Sequence, residues 1–163
     1  MIFKAPKLVL LFLILTNFIF PQQNQPQHTK KVVGYYAQWA IYTRSYGVHQ
    51  IEGDKLTHLM YAFYNTIYDS DTQTTRLESL DPHADFAHNN FNITYPSGTN
   101  TETERGNFGQ LKMLKEKYPH LKILISLGGW TRSQHFPALS TSEKGRLTLA
   151  QSMVDLMQKY PWI

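Results

Sequence analysis

Lys122-Ile123-Leu124-Ile125-Ser126-Leu127-Gly128-Gly129-Trp130 is the stretch on which the reading of this chain turns. An apolar run of strand length ends in a hydroxyl, two adjacent glycines and an indole. Paired glycines remove side chains where a ligand or another backbone must come close. Trp130 then offers a flat apolar face of the kind on which sugar rings stack. Working outward, the run is read as a strand over His120–Ser126. Two others resemble it, over Lys31–Tyr36 and Lys55–Phe63. Each is almost continuously apolar rather than alternating, the pattern of a parallel sheet covered on both faces.

Helical spacing lies between and after these runs. Phe108, Leu111, Leu114 and Tyr118 form one stripe and predict a helix over Asn107–Lys117, stopped by Pro119. Leu147, Ala150, Val154 and Met157 recur at helical spacing through Lys159, and Pro161 ends that helix. Ser140 and Glu143 have capping-box spacing at its start. The alternation of strands and helices defines an α/β class.

The 163 residues, 42% hydrophobic and 13% aromatic, suffice for one core. The formal charge of +4 includes Lys4 and Lys7 near the N-terminus. The remaining Lys and Arg are scattered, so no nucleic-acid partner is expected. The absence of cysteine excludes disulfides and thiolate metal sites. Lys4 and Lys7 precede an apolar run from Leu8 to Leu15, continued by Phe18-Ile19-Phe20, and Pro21 to Gln27 is polar. That order is that of a secretory signal, so residues 1–27 are read as signal peptide and polar linker and the product as secreted. No small-x-small cleavage site is visible, which leaves an uncleaved anchor open. The apolar core is short of the roughly 20 residues of a stable span, so no stable membrane insertion is expected beyond it. Asn92-Ile93-Thr94 is a glycosylation sequon consistent with secretion.

Asn65 to Gly106 is polar and long for a connection. It reads either as an elaborated substrate-side loop or as a disordered insertion. Its carboxylate pairs, Asp69 with Asp71 and Asp81 with Asp85, read as solvated turn residues without a strand to fix them or raise a pKa. Among the seven histidines, His83 and His88 lack a third partner nearby and His58 reads as a core histidine. No metal and no cofactor is expected. Ser126 lacks the elbow and the base of a nucleophile and reads as a hydrogen-bonding group. The aromatics are more telling. Tyr35, Tyr36, Trp39 and Tyr42 follow the first strand, Tyr61, Phe63 and Tyr64 the second, and Trp130 the third. Some must be core, yet three strands placing aromatics at one end would build a sugar-stacking cleft.

Four stretches together resemble glycoside hydrolase family 18, the chitinases: Val32–Trp39, Leu56–Phe63, Gly106–Leu111 and Ile125–Thr131. The resemblance covers Lys31 to Ile163 and is nearest to bacterial-type secreted chitinases. It implies that residues 28–163 are the N-terminal part of an eight-stranded β/α (TIM) barrel, about three strand–helix units of it. It also implies chitin or chito-oligosaccharides as partner, hydrolysed with retention by attack of the sugar's own acetamide. Carried over by position, Tyr35 and Ser126 resemble groups that hydrogen-bond the inner Asp of the catalytic motif, with adjacent Tyr36 an alternative to Tyr35. Phe63 resembles an aromatic beneath the distorted sugar. Trp39 and Trp130 resemble stacking platforms, and Gly128 and Gly129 keep the strand end open.

The family's Asp-x-x-Asp-x-Asp-x-Glu motif is absent from the 163 residues, so no catalytic acid is assigned and the chain is expected to be inactive alone. Two readings follow: an N-terminal fragment of a secreted chitinase, or an inactive, lectin-like oligosaccharide-binding protein. As a fragment it would leave Leu59, Ile123 and Ile125 poorly covered and its third strand unpaired on one side.

Overall fold

The computed structural model describes residues 30–89, 91–96 and 104–163. The reading of residues 1–27 as signal and linker lies outside the described residues. The elements are β1 (Val33–Ala37), β2 (His58–Asp69), β3 (Thr74–Ser79), α1 (Gly106–Lys117), β4 (Lys122–Leu127), α2 (Phe136–Thr141) and α3 (Glu143–Lys159).

β1, β2 and β4 are the three apolar runs, and they are parallel, with β2 between the other two. In register, Tyr36, Tyr61 and Ile125 share one row, and Tyr35, Met60 and Leu124 share the next. Neighbouring residues of a strand point to opposite faces. The Tyr36 row faces α1, whose Phe108, Leu111 and Leu114 are buried in the same cluster as Tyr36, Leu59, Tyr61 and Ile123. α1 matches its predicted range to one residue.

Four expectations are corrected. First, the stretch from Asn65 is neither simply a loop nor simply an insertion. β2 runs on to Asp69 and turns back through β3 in an antiparallel hairpin, so the sheet is mixed. Asp69 accepts from the amides of Asp71 (2.9 Å) and Thr72 (3.1 Å) and closes that turn. Second, Leu59 and Ile123 are buried rather than poorly covered; the exposed large apolar residues of the strands are Val33, Tyr35 and Leu124.

Third, the Leu147, Val154 and Met157 stripe of α3 faces outward. α3 packs on β3 through small polar residues instead. The Thr75 amide donates to Thr148 Oγ1 (2.7 Å), Thr75 Oγ1 donates to the Gly145 carbonyl (3.0 Å), and Ser152 Oγ donates to the Thr75 carbonyl (3.1 Å). Fourth, the cap of α3 is Ser142, whose hydroxyl accepts from the Gly145 amide at 3.1 Å. Ser140 is instead engaged at the end of α2, donating to the Pro137 carbonyl at 2.8 Å.

Between β1 and β2 the crossover is built of three short 3₁₀ turns rather than an α-helix. Beside α3 an open apolar groove of about 350 Å³ is lined by Ile123, Ile125, Leu127, Met153, Leu156 and Ile163 among others. Among the described residues β4 pairs with β2 alone, and the groove lies along β4. No described helix is long and apolar enough to cross a membrane.

Candidate functional site

The sequence-predicted residues gather at the carboxyl ends of the parallel strands. β1 passes directly into the 3₁₀ turn Gln38–Ile41, which carries Trp39. On β2 the ladder to β4 skips Phe63, between the pairs Ala62–Ser126 and Tyr64–Leu127, and the Ala62–Phe63 peptide is cis. The Trp39 and Phe63 rings stack with centroids 6.0 Å apart and planes 27° apart.

β4 ends in Gly128 and Gly129, both with positive φ, +82° and +106°. The two glycines have distinct tasks. The Gly128 amide donates to the Tyr64 carbonyl at 2.9 Å, tying the turn back to β2. A Cβ there would lie 2.7 Å from Ser133 Oγ and 2.9 Å from the Phe136 ring. At Gly129 a Cβ would lie 3.3 Å from the Phe63 ring, so the glycine lets that ring lie against the backbone. Trp130 follows with a relative exposure of 102%. Trp39 is 51% exposed. Trp39, Phe63 and Gly129 are therefore contiguous, with the Trp130 indole next to them in the chain and free of core packing.

Tyr35 and Ser126 lie on the same face of the sheet, on the two strands that flank β2. Their rows, Tyr35–Met60–Leu124 and Ala37–Ala62–Ser126, are two residues apart. With strands about 4.8 Å apart, β1 and β4 are separated by roughly 10 Å. Tyr36 is excluded from this face. Its hydroxyl donates to the Tyr46 carbonyl (3.0 Å) and to Asn107 Oδ1 (3.3 Å) on the opposite side, and burial pushes that hydroxyl's pKa up.

The acidic pairs divide. Asp69 and Asp71 are exposed turn residues, as read from the sequence. Asp85 is not: it is fully buried. Its carboxylate accepts from the Tyr61 hydroxyl and, at 2.5 Å, from Ser79 Oγ. Burial raises its pKa against those two hydrogen bonds, which lower it. Tyr61 is raised in turn, by burial first and by the Asp85 charge second. Asp81 accepts from the Tyr42 hydroxyl at 2.6 Å and from the Ala84 amide at 2.9 Å. Its partial burial pushes its pKa up, but these bonds outweigh it and hold the carboxyl below its ordinary value. No local pattern along the chain marks this network, because its members come from β2, β3, a helical turn at His83–Ala87 and α1. Among the described residues no group of three or more His, Asp or Glu is placed to hold a metal ion.

A strand–helix α/β fold with an exposed aromatic surface at the carboxyl ends of its parallel strands defines the class. Strand ends are where such folds place ligands. The chain belongs to the glycosyl hydrolases family 18, whose sequence model matches residues 31–162. A chitinase, ChiA, of Flavobacterium johnsoniae is 48% identical over 155 residues, covering 94% of this chain and 9% of that protein. The solved chitinase ChiA74 from Bacillus thuringiensis is 34% identical with a TM-score of 0.68, over 82% of this chain and 26% of that one. A Group IV chitinase of Ostrinia furnacalis in complex with allosamidin is 29% identical with a TM-score of 0.60, over 81% and 31%. The chain thus spans between about a tenth and a third of these relatives' lengths.

Proposed function

We propose that the chain is the N-terminal part of a secreted chitinase, about three strand–helix units of a (β/α)8 barrel, and that its strand-end surface binds β-1,4-linked N-acetylglucosamine. The observation that carries this reading is the contiguous surface of Trp39, Phe63 and Gly129, continued by Trp130. Flat aromatic faces bind pyranose rings by burying their apolar C–H faces, and Gly128 and Gly129 keep bulk away from the path of the chain. In this reading Trp39 and Trp130 are platforms on either side of the reacting sugar, and Phe63 is the floor. Tyr35 and Ser126, on one face about two strands apart, are the groups that hydrogen-bond a carboxylate of the catalytic motif.

Hydrolysis would be substrate-assisted and retaining, with the acetamide oxygen attacking the anomeric carbon and a carboxylic acid protonating the leaving oxygen. None of the carboxylates described above fits that acid. Asp85 is on the helix side of the sheet and Asp81 is engaged by Tyr42. The side of β4 that pairs with no strand among the described residues, and the apolar groove along it, support further strand–helix units packing there. The chain by itself should therefore bind without cleaving. General acid help is worth about 10² to 10⁴ in rate. Purified 163-residue chain should bind N-acetylglucosamine hexamer and release no chromophore from a chromogenic chitobioside, whereas a chain extended through an Asp-x-x-Asp-x-Asp-x-Glu strand should do both. Failure of the hexamer to bind to either protein would refute the assignment of the surface.

A further inference from the structure

We infer that Asp85 is a positioning residue for the Trp39 platform, acting through Tyr61 and Asn107; this rests on the reading of Trp39 as a sugar-stacking surface. Trp39 sits in a four-residue 3₁₀ turn that has no side-chain cap. Half exposed, its indole is stacked on Phe63 and packs no further into the core. Its place is therefore set by the turn that carries it.

Besides the backbone bonds of the turn itself, two side-chain hydrogen-bonded paths reach it from the segment Asp81–Asp85. In the first, the buried Asp85 carboxylate accepts from the Tyr61 hydroxyl. Asn107 Nδ2 donates to Tyr61 Oη at 2.9 Å and to the Gln38 carbonyl at 3.1 Å. That carbonyl belongs to the peptide linking Gln38 to Trp39. In the second, Asp81 Oδ1 accepts from the Ala84 amide and Oδ2 from the Tyr42 hydroxyl, three residues beyond Trp39. The turn is thus gripped at its entry and at its exit.

The charge at Asp85 orients the first path. A carboxylate is an acceptor only, so the Tyr61 hydroxyl must spend its single proton on Asp85. Its oxygen is then free to accept from Asn107, which, together with the Tyr36 hydroxyl donating to Oδ1, holds the amide with its nitrogen toward the Gln38 carbonyl. An amide in place of the carboxylate can present a donor to Tyr61 and release that order. Bonds in such a buried network are mutually dependent.

The variants are Asp85→Asn, Tyr61→Phe and Trp39→Ala, with the doubles Asp85→Asn/Trp39→Ala and Tyr61→Phe/Trp39→Ala, in the full 163-residue chain. N-acetylglucosamine hexamer is the titrant, and 5-fluorotryptophan labelling is read by fluorine NMR. Trp39→Ala should weaken hexamer binding. Asp85→Asn should weaken it roughly 5-fold in the parent and not at all in the Trp39→Ala background, the non-additivity of residues that act as one unit. The Trp39 resonance should shift or broaden in both Asp85→Asn and Tyr61→Phe, while that of Trp130 stays fixed. A mere stabilising role predicts equal losses in both backgrounds and an unmoved Trp39 resonance; either result overturns the inference. If Asp85→Asn does not fold, Tyr61→Phe, which keeps the ring, decides by the same two readouts. A parent chain that fails to bind hexamer, with a Trp39 resonance that still responds, refutes the sugar-surface reading and leaves the positioning of Trp39 supported.

Discussion

Trp130→Ala separates a binding surface from a core residue, because the structure makes opposite demands on stability and affinity. The indole is fully exposed, so its removal takes away almost no contact made in the folded state. Exposed substitutions of this kind change unfolding free energy by within about 0.5 kcal/mol. On binding, one face of the ring would be covered. An aromatic side chain buries about 200 Å² in full, so one face is roughly 100 Å², which at about 25 cal/mol per Å² is worth about 2.5 kcal/mol. Fixing the side chain on the sugar costs about 0.5–1.5 kcal/mol, leaving about 1–2 kcal/mol, or roughly a 5- to 30-fold rise in Kd. Calorimetric titration with N-acetylglucosamine hexamer measures the second quantity and urea unfolding the first. Unchanged affinity together with a loss of more than about 1 kcal/mol of stability would refute the reasoning and place Trp130 in packing that the structure does not show. Trp39→Ala is the instructive contrast, since its ring also stacks on Phe63 and should cost both.

Gly128→Ala should destabilise by about 1–3 kcal/mol, because φ is +82° and the new methyl meets Ser133 and the Phe136 ring; Gly34→Ala, which meets only the movable end of Leu56, is the control for urea unfolding. His88 is buried among Tyr42, His83 and Phe91, and burial, with His83 adding to it and Asp81 opposing, holds its pKa below the ordinary 6.5. The unfolded chain then takes up that proton more readily, so this contribution to stability should be level above pH 6.5 and fall as pH drops through it, a slope that His88→Phe should remove from a series of thermal melts. The apolar groove along β4 predicts binding of a hydrophobic dye and concentration-dependent association; a monodisperse chain silent to the dye would count against it.

The parallel strands and α1 were legible because their signals are local. Three unbroken apolar runs specify the strands of a parallel sheet, though one face stays open at Tyr35 and Leu124, and Phe108, Leu111 and Leu114 specify one helical face. β3 was not, since Thr74-Thr75-Arg76-Leu77-Glu78-Ser79 has little apolar character and is held by hydroxyl and backbone bonds to α3. For the same reason the packed face of α3 was misread. The spacing Ser142, Gly145, Thr148, Ser152 is as helical as that of the apolar stripe, but small polar residues carry no hydrophobic signal. Asp85 looked solvated because its burial depends on Tyr61, 24 residues away, and on α1. Trp39, Phe63, Gly128, Gly129 and Trp130 stand together because each lies at the end of a legible strand, where position along the chain nearly fixes position in space.

The adjacent tyrosines of β1 show where sequence alone stops and one structural fact decides. Both are aromatic, both end a strand, and composition cannot rank them. A strand has a period of two, so assigning either to one face assigns the other to the opposite face. Tyr36 bonds Asn107 of α1 and is 2% exposed, which places its whole row, with Tyr61 and Ile125, on the helix side. Tyr35, 67% exposed, then falls with Met60, Leu124 and, one pleat further, Ser126 on the other face. The pairing of Tyr35 with Ser126 is thus a consequence of sheet register, independent of any family likeness. It also explains why so large a side chain is left open: the face it belongs to is one that α1 and α3 do not cover. A group that hydrogen-bonds a carboxylate inside a closed barrel would have to stand on that face, and of the two tyrosines only Tyr35 does.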